Sequence, residues 1–214
     1  MKKSTSKAEK GFSLLEMIVV VMLAFIVMAF AVINTMSSTQ NSRANAAMDA
    51  VVTQLRQARE LAIAKRRNVE VEFTAPNQIQ LTVLTLPGEA VPTPIPTVYL
   101  NDNVGGGLSF TLEPNLPDTP MNFGNTTAIS LQQPAGGGAW SVMFTTSGSL
   151  VGSAQAAASL YLVTNNNPVN ASIFIGIPNK PSTARAVTVF GSTGRVRAYY
   201  WTGGASGPST AWIE

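Results

Sequence analysis

The stretch KGFSLLEMIVVVMLAFIVMAFAVI, residues 10–33, joins a basic N-terminus to a run of side chains from Met17 to Ile33 that contains no polar group. With Leu14 and Leu15 the run is about 20 residues long and is interrupted only by Glu16. At about 1.5 Å per residue that length matches a hydrocarbon slab of roughly 30 Å. Backbone groups in lipid must pair within their own segment, so the stretch predicts a transmembrane helix. A cleavable secretory signal has a shorter apolar core, about 7–15 residues, followed by a small-residue cleavage site. Nor does a plain anchor account for Glu16, because a carboxylate beside apolar surroundings is costly unless paired. A cut between Gly11 and Phe12 would create an amino group one helical turn before Glu16. In an array of such helices, the acid of one chain can then meet the amine of another.

Working outward from this stretch, the charge separates cleanly. The 214 residues carry 14 Lys and Arg against 11 Asp and Glu, a formal charge of +3. Lys2, Lys3, Lys7 and Lys10 against Glu9 supply all of it, so residues 12–214 are balanced. The basic character therefore belongs to the N-terminus, as in a segment retained on the cytoplasmic side, and does not mark a nucleic-acid-binding body. With no cysteine and no histidine, disulfides, thiolate metal sites and Cys- or His-based catalysis are excluded. No cofactor is implied.

Beyond Asn34 polarity rises, yet proline is absent up to Ala75 and glycine is absent between Gly11 and Ala75. Ala47, Val51, Leu55, Ala58 and Ala62 recur every three or four residues. They form a narrow apolar stripe, with Arg43, Asp49, Arg56, Arg59, Glu60 and Lys65-Arg66-Arg67 mostly off it. The helix is expected to run from about residue 12 to about 65 and to lay this stripe on a sheet. From Val69 the pattern changes to short strands, predicted at 69–73, 78–85, 96–100, 108–112, 127–131, 140–145, 159–163, 171–177, 185–190 and 195–201. Pro76-Asn77 and Ser192-Thr193-Gly194 are expected to close hairpins. Val187, Val189, Val196, Ala198 and Tyr200 are expected to face the helix, with their neighbours pointing outward. The breaker-rich segments Pro87–Pro96, Gly105–Gly107, Pro114–Pro120 and Pro134–Gly138 read as exposed connections.

Lys10-Gly11-Phe12-Ser13-Leu14-Leu15-Glu16, followed by the long apolar run, resembles the processing signal of type IV prepilins and type II secretion pseudopilins. The resemblance implies a leader, residues 1–11, cut after Gly11 by a prepilin peptidase that also N-methylates Phe12. It makes Glu16 the acid that neutralises a neighbouring subunit's terminus during assembly. The implied fold is α+β and pilin-like: a long N-terminal helix, with a transmembrane half at 12–34 and an amphipathic half at 35–66, packed on antiparallel β-sheet in a domain spanning 67–214. The implied placement is single-pass in the inner membrane, with the N-terminus cytoplasmic and the C-terminal domain periplasmic or filament-associated at the cell surface. The implied partners are the peptidase, other pilins or pseudopilins and an inner-membrane assembly platform.

Arg56–Ile63, Val142-Met143-Phe144 with Ser147-Gly148, and Val187–Phe190 followed by Gly191–Val196 are similar to the minor pseudopilin H and FimT/FimU-type pilins. The uninterrupted apolar run, lacking the helix breaker of many major pilins, favours a minor subunit. Some FimT-like relatives bind DNA through arginines near the C-terminus, and Lys180, Arg185, Arg195 and Arg197 are the positions available here for that role. Three alternatives stay open: a major pilin, a DNA-receptor subunit and a membrane-anchored β-domain outside any filament. Glu113 and Asp118, in a Pro-rich loop, do not suggest the paired carboxylates of glycoside chemistry, and the reading is a structural component, not an enzyme. Gly11 leaves the scissile carbonyl accessible. Gly11→Leu is expected to block processing, so that immunoblots of whole cells show only the full-length chain.

Overall fold

The computed structural model describes residues 13–85, 95–100, 107–131, 140–152, 167–203 and 212–214. Among the described residues, one helix, α1, spans Leu14–Lys65, and eleven strands follow: β1 Val69–Thr74, β2 Gln78–Val83, β3 Val98–Tyr99, β4 Ser109–Phe110, β5 Ile129–Leu131, β6 Trp140–Phe144, β7 Leu150–Gly152, β8 Ala171–Ile177, β9 Lys180–Phe190, β10 Arg195–Trp201 and β11 Trp212–Ile213. The chain divides into two units, Met1–Thr39 and Gln40–Glu214.

In the first unit, the large apolar side chains of α1 described between Leu14 and Phe30 are exposed, from Leu14 at 78% to Phe30 at 67%. Among the described residues no helix is long and apolar enough to cross a membrane. This corrects the transmembrane half of the expected fold, and with it the single-pass inner-membrane placement. Glu16 stands in the first turn of the helix, and a carboxylate is costly in hydrocarbon.

The second unit is built on the stripe. Ala47, Val51, Leu55, Ala58 and Ala62 are all buried, at 0–1% exposure, and Ala44 extends the line by one turn. Small side chains at four of these six positions let the helix backbone approach a sheet closely, while Val51 and Leu55 fill the space between. The helix ends without a glycine. Arg66 adopts a left-handed φ of 50°, while its N–H bonds to Ile63 O and that of Arg67 bonds to Ala62 O. This is the paired C-terminal closure that glycine usually makes. Lys65 lies in the last turn, where a cation offsets the helix dipole.

The strands form two antiparallel sheets, ordered β3-β2-β1-β6-β7 and β11-β10-β9-β8-β4, with β5 also paired to β8. Alternation places Val69, Val71, Phe73, Ile79, Leu81, Val142 and Phe144 of the first sheet, and Ile173, Ile175, Val187, Val189 and Val196 of the second, in one core with the helix stripe. Phe73 and Phe110 meet edge to face, centroids 5.4 Å apart, joining residues of the two sheets. Backbone bonds from Leu150 N to Gly191 O and from Phe110 N to Pro76 O tie them further.

Several strand expectations need revision. β7 and β11 were not foreseen, β9 begins five residues before the predicted 185, and the predicted strand at 159–163 lies outside the described residues. Both hairpin turns are present, between β1 and β2 and between β9 and β10. Tyr200 is 39% exposed instead of facing the core, while its neighbour Tyr199 is buried at 3%. The outward face of the six-stranded sheet is not solvated there: Phe174, Ala184, Ala186, Tyr199 and Trp212 form a second apolar cluster with Leu116, against which Leu112 and Met121 pack.

Pro114–Pro120 is consequently no open connection. Asp118 accepts hydrogen bonds from the N–H groups of Thr119 and Gly124, both at 2.7 Å, and Pro117 O accepts from Trp212 Nε1 at 3.0 Å. Of the other breaker-rich segments, residues 86–94, 101–106 and 132–139 lie outside the described residues.

Leu55 has no exposed surface, so Leu55→Ala should cost about 2–5 kcal/mol of unfolding free energy. The exposed neighbour Arg56, changed to Ala, should move it by less than about 0.5 kcal/mol. Urea denaturation of the two variants checks the contrast.

Candidate functional site

Gly11 and Phe12 lie outside the described residues; Ser13 is the first residue described. Ser13 precedes the first helical residue, and its carbonyl accepts the first intrahelical bond, from Met17 N at 3.2 Å. Ser13 and Glu16 therefore occupy the N-cap and third helical positions, the Ser-x-x-Glu spacing of a capping box. The sequence carried that signal, and the reading of Glu16 as an assembly acid passed over it. Glu16 lies exposed in the first turn, where the unpaired N–H groups and the helix dipole favour negative charge.

The four C-terminal bases are not brought together. Lys180 is exposed at the start of β9. Arg195 is exposed at the start of β10 and sits opposite Phe190, the last residue of β9. Ten residue steps along β9 therefore separate the two, roughly 30 Å of extended strand.

Arg185 is buried at 5% exposure. Its Nε donates to Asn45 Oδ1 of α1 at 2.7 Å, and its Nη1 donates to Ser182 O at 3.1 Å and Ala184 O at 2.8 Å. Burial pulls its pKa below the ordinary arginine value, opposed by Tyr200, but a guanidinium remains cationic throughout the usual pH range. Its donors are spent inside the fold, joining the helix to β9, and a buried cation without these acceptors would be strongly unfavourable.

Arg197 donates from Nη1 to Glu214 Oε2 at 3.1 Å, with side-chain exposures of 25% and 55%. Of the four bases, Lys180 and Arg195 are the two exposed ones. Arg195 and Arg197 lie two positions apart on the same face of β10, with Lys180 at the far end of β9 and Arg185 buried on the helix side. Glu113 and Asp118 are likewise occupied by backbone donors, Glu113 Oε1 accepting from Asn179 N at 2.9 Å.

Residues 6–32 match the family described as the prokaryotic N-terminal methylation motif. The match contains Gly11, Phe12, Ser13 and Glu16. No curated protein sequence matches the chain significantly. Among solved structures, the type IV minor pilin FimU of Pseudomonas aeruginosa is similar at 13% identity, covering 75% of this chain and 90% of that one with a TM-score of 0.43. A second crystal form of FimU gives 13% identity and 0.40, covering 72% and 90%. The minor pseudopilin EpsH from the type 2 secretion system of Vibrio cholerae gives 14% and 0.40, covering 74% and 97%. Scores this low leave the assignment to the N-terminal motif. The family match itself is to the N-terminal methylation motif and covers residues 6–32 of the 214.

Proposed function

We propose that this chain is a minor subunit of a type II secretion pseudopilus or of a type IV pilus, with residues 1–11 as a leader removed before assembly. The observation that carries this reading is the methylation motif over residues 6–32. In the proposal Gly11 ends the leader, Phe12 becomes the methylated terminus, and Glu16 pairs with the terminal amine of an adjacent subunit. The partners are a prepilin peptidase and methyltransferase, other pilins or pseudopilins, and the assembly platform of the same machinery. The function is structural: the sequence offers neither cysteine nor histidine for catalysis.

Two features support the assembly role. The apolar side chains from Leu14 to Phe30 stand exposed on the single chain, and burying a large one against neighbouring helices gains about 1.5–3 kcal/mol at most. Burial of that kind is not directional. Glu16, near one end of the apolar side chains, supplies the charge that sets longitudinal register, because an unpaired carboxylate among packed apolar helices is penalised. A minor role is supported by the absence of proline and glycine throughout α1, since a helix without a breaker is poorly suited to local melting during assembly.

Mass spectrometry of the chain recovered from its native host should show Phe12 at the N-terminus carrying one extra methyl group. Retention of residues 1–11 in assembled fibres would defeat the proposal. In competition with wild type, Glu16→Ala should enter fibres roughly tenfold less well, the factor that about 1.4 kcal/mol of lost pairing gives. Equal incorporation would remove Glu16 from the mechanism.

A further inference from the structure

Across the outward face of the six-stranded sheet, Ser130, Ser172, Thr188 and Arg197 stand directly opposite one another on β5, β8, β9 and β10. Their sequence neighbours Ile129, Ile173, Val187, Val196 and Ala198 point to the helix side, so all four side chains share the other face. Tyr199 is two positions along from Arg197 and lies opposite Ala186, which itself opposes Phe174. The row is therefore bordered by the apolar cluster of Phe174, Ala186 and Tyr199 on one side. The Phe123–Phe190 edge-to-face pair involves the next outward residue of β9 on the other side.

Ser172 and Thr188 have no exposed surface, and Tyr199 is 3% exposed. Yet Ser172 Oγ and Thr188 Oγ1 are buried without a hydrogen-bond partner among the described residues, beside Arg197 and Tyr199, whose side chains interact with each other. Ser130 Oγ, at the far end, reaches Thr126 Oγ1 only at 3.5 Å.

Most buried polar atoms in folded proteins are paired, and each exception carries the desolvation cost of its group. Here the exceptions fall in neighbouring positions at the centre of one sheet. The donors and acceptors are complementary in kind: two aliphatic hydroxyls and a phenol that can donate or accept, and a guanidinium N–H that can only donate. Cross-strand neighbours place Cβ atoms about 4.5–5.5 Å apart, a spacing that one bridging oxygen can span. The row does not suit a charged ligand. Its central hydroxyls have no path to solvent, and the cation at its end already faces Glu214. A neutral molecule that both donates and accepts, and needs two to four polar partners, fits it.

We propose that the Ser172–Thr188–Arg197 row is a binding site for ordered water, held by the three side chains and Tyr199 and enclosed between the two aromatic clusters. The cover over this face of the sheet is therefore a hydrated seam and not a dry core.

The test uses the full chain in mild detergent, because of its exposed apolar residues, and compares wild type with Thr188→Val, Ser172→Ala and the double variant by thermal unfolding followed in near-UV circular dichroism. Thr188→Val keeps the shape of the side chain. If water joins these hydroxyls, each single variant lowers Tm by about 2–4 °C, and the double variant loses less than the sum because the partners are shared. If the row is dry, deleting an unsatisfied buried hydroxyl leaves Tm unchanged or raises it, which overturns the proposal. A high-resolution crystal structure supplies the second reading. Electron density for a water within hydrogen-bond distance of both Ser172 Oγ and Thr188 Oγ1, absent in Thr188→Val, is expected; a wild-type structure without it overturns the proposal whatever the Tm values.

Discussion

The domain depends on close contact between one narrow helix face and two sheets. Ala44, Ala47, Ala58 and Ala62 contribute almost no side-chain volume, so the sheets can come near the backbone of α1, and Val51 and Leu55 interlock with the strand residues in between. Protein interiors are packed as densely as organic crystals, so a larger residue at any of these alanines would push the helix away along its whole contact. Strands β1 and β2 alternate buried and partly exposed residues, and such alternation needs a partner on one face. The helix stripe is that partner for both sheets at once, and for this reason one core contains residues from β1, β2, β6, β8, β9 and β10.

Arg185 adds direction to this packing. Apolar contact alone would tolerate small rotations of the helix, whereas the bond from Arg185 Nε to Asn45 Oδ1 is made at one angle and one height along α1. The same side chain spends Nη1 on the carbonyls of Ser182 and Ala184, which turns a buried charge into a satisfied one. Burying a cation against neutral acceptors adds little net stability, but losing those acceptors in an alternative arrangement is penalised. Near the other end of the contact, Arg59 Nε donates to Gly148 O at 3.3 Å. Gly194, with φ of 62°, lies so close that any added Cβ would run into the Gly148 carbonyl and the Arg59 side chain. Glycine is required at that turn by space as well as by backbone angle.

The outward faces of the two sheets differ in character. On the six-stranded sheet, residues of 112–124 supply Leu112, Leu116 and Met121 to a second apolar cluster, with Asp118 organising the turn through two backbone N–H groups. This layer buries Tyr199 and Trp212 and leaves Arg197 paired at its margin. Of the C-terminal basic residues, Arg195 and Arg197 share the outward face of β10 two positions apart, whereas Arg185 turns to the helix and Lys180 stands at the far end of β9.

What the amino-acid order determined by itself was whatever rests on local chemistry or simple periodicity. Gly11, Phe12, Ser13 and Glu16 lie within six residues of chain, so the methylation motif that contains them is complete before anything folds. The stripe from Ala47 to Ala62 follows the helical repeat, and β1 and β2 follow the period of two. Tertiary structure decided whatever depends on partners far apart: Arg185 meets Asn45 across 140 residues, and Trp212 meets Pro117 across 95. The short strands β7 and β11 and the packed loop over the second sheet belong to the same class, because two or three residues carry too little period to announce a strand and a proline-rich loop shows its buried side only once another surface is there to cover it.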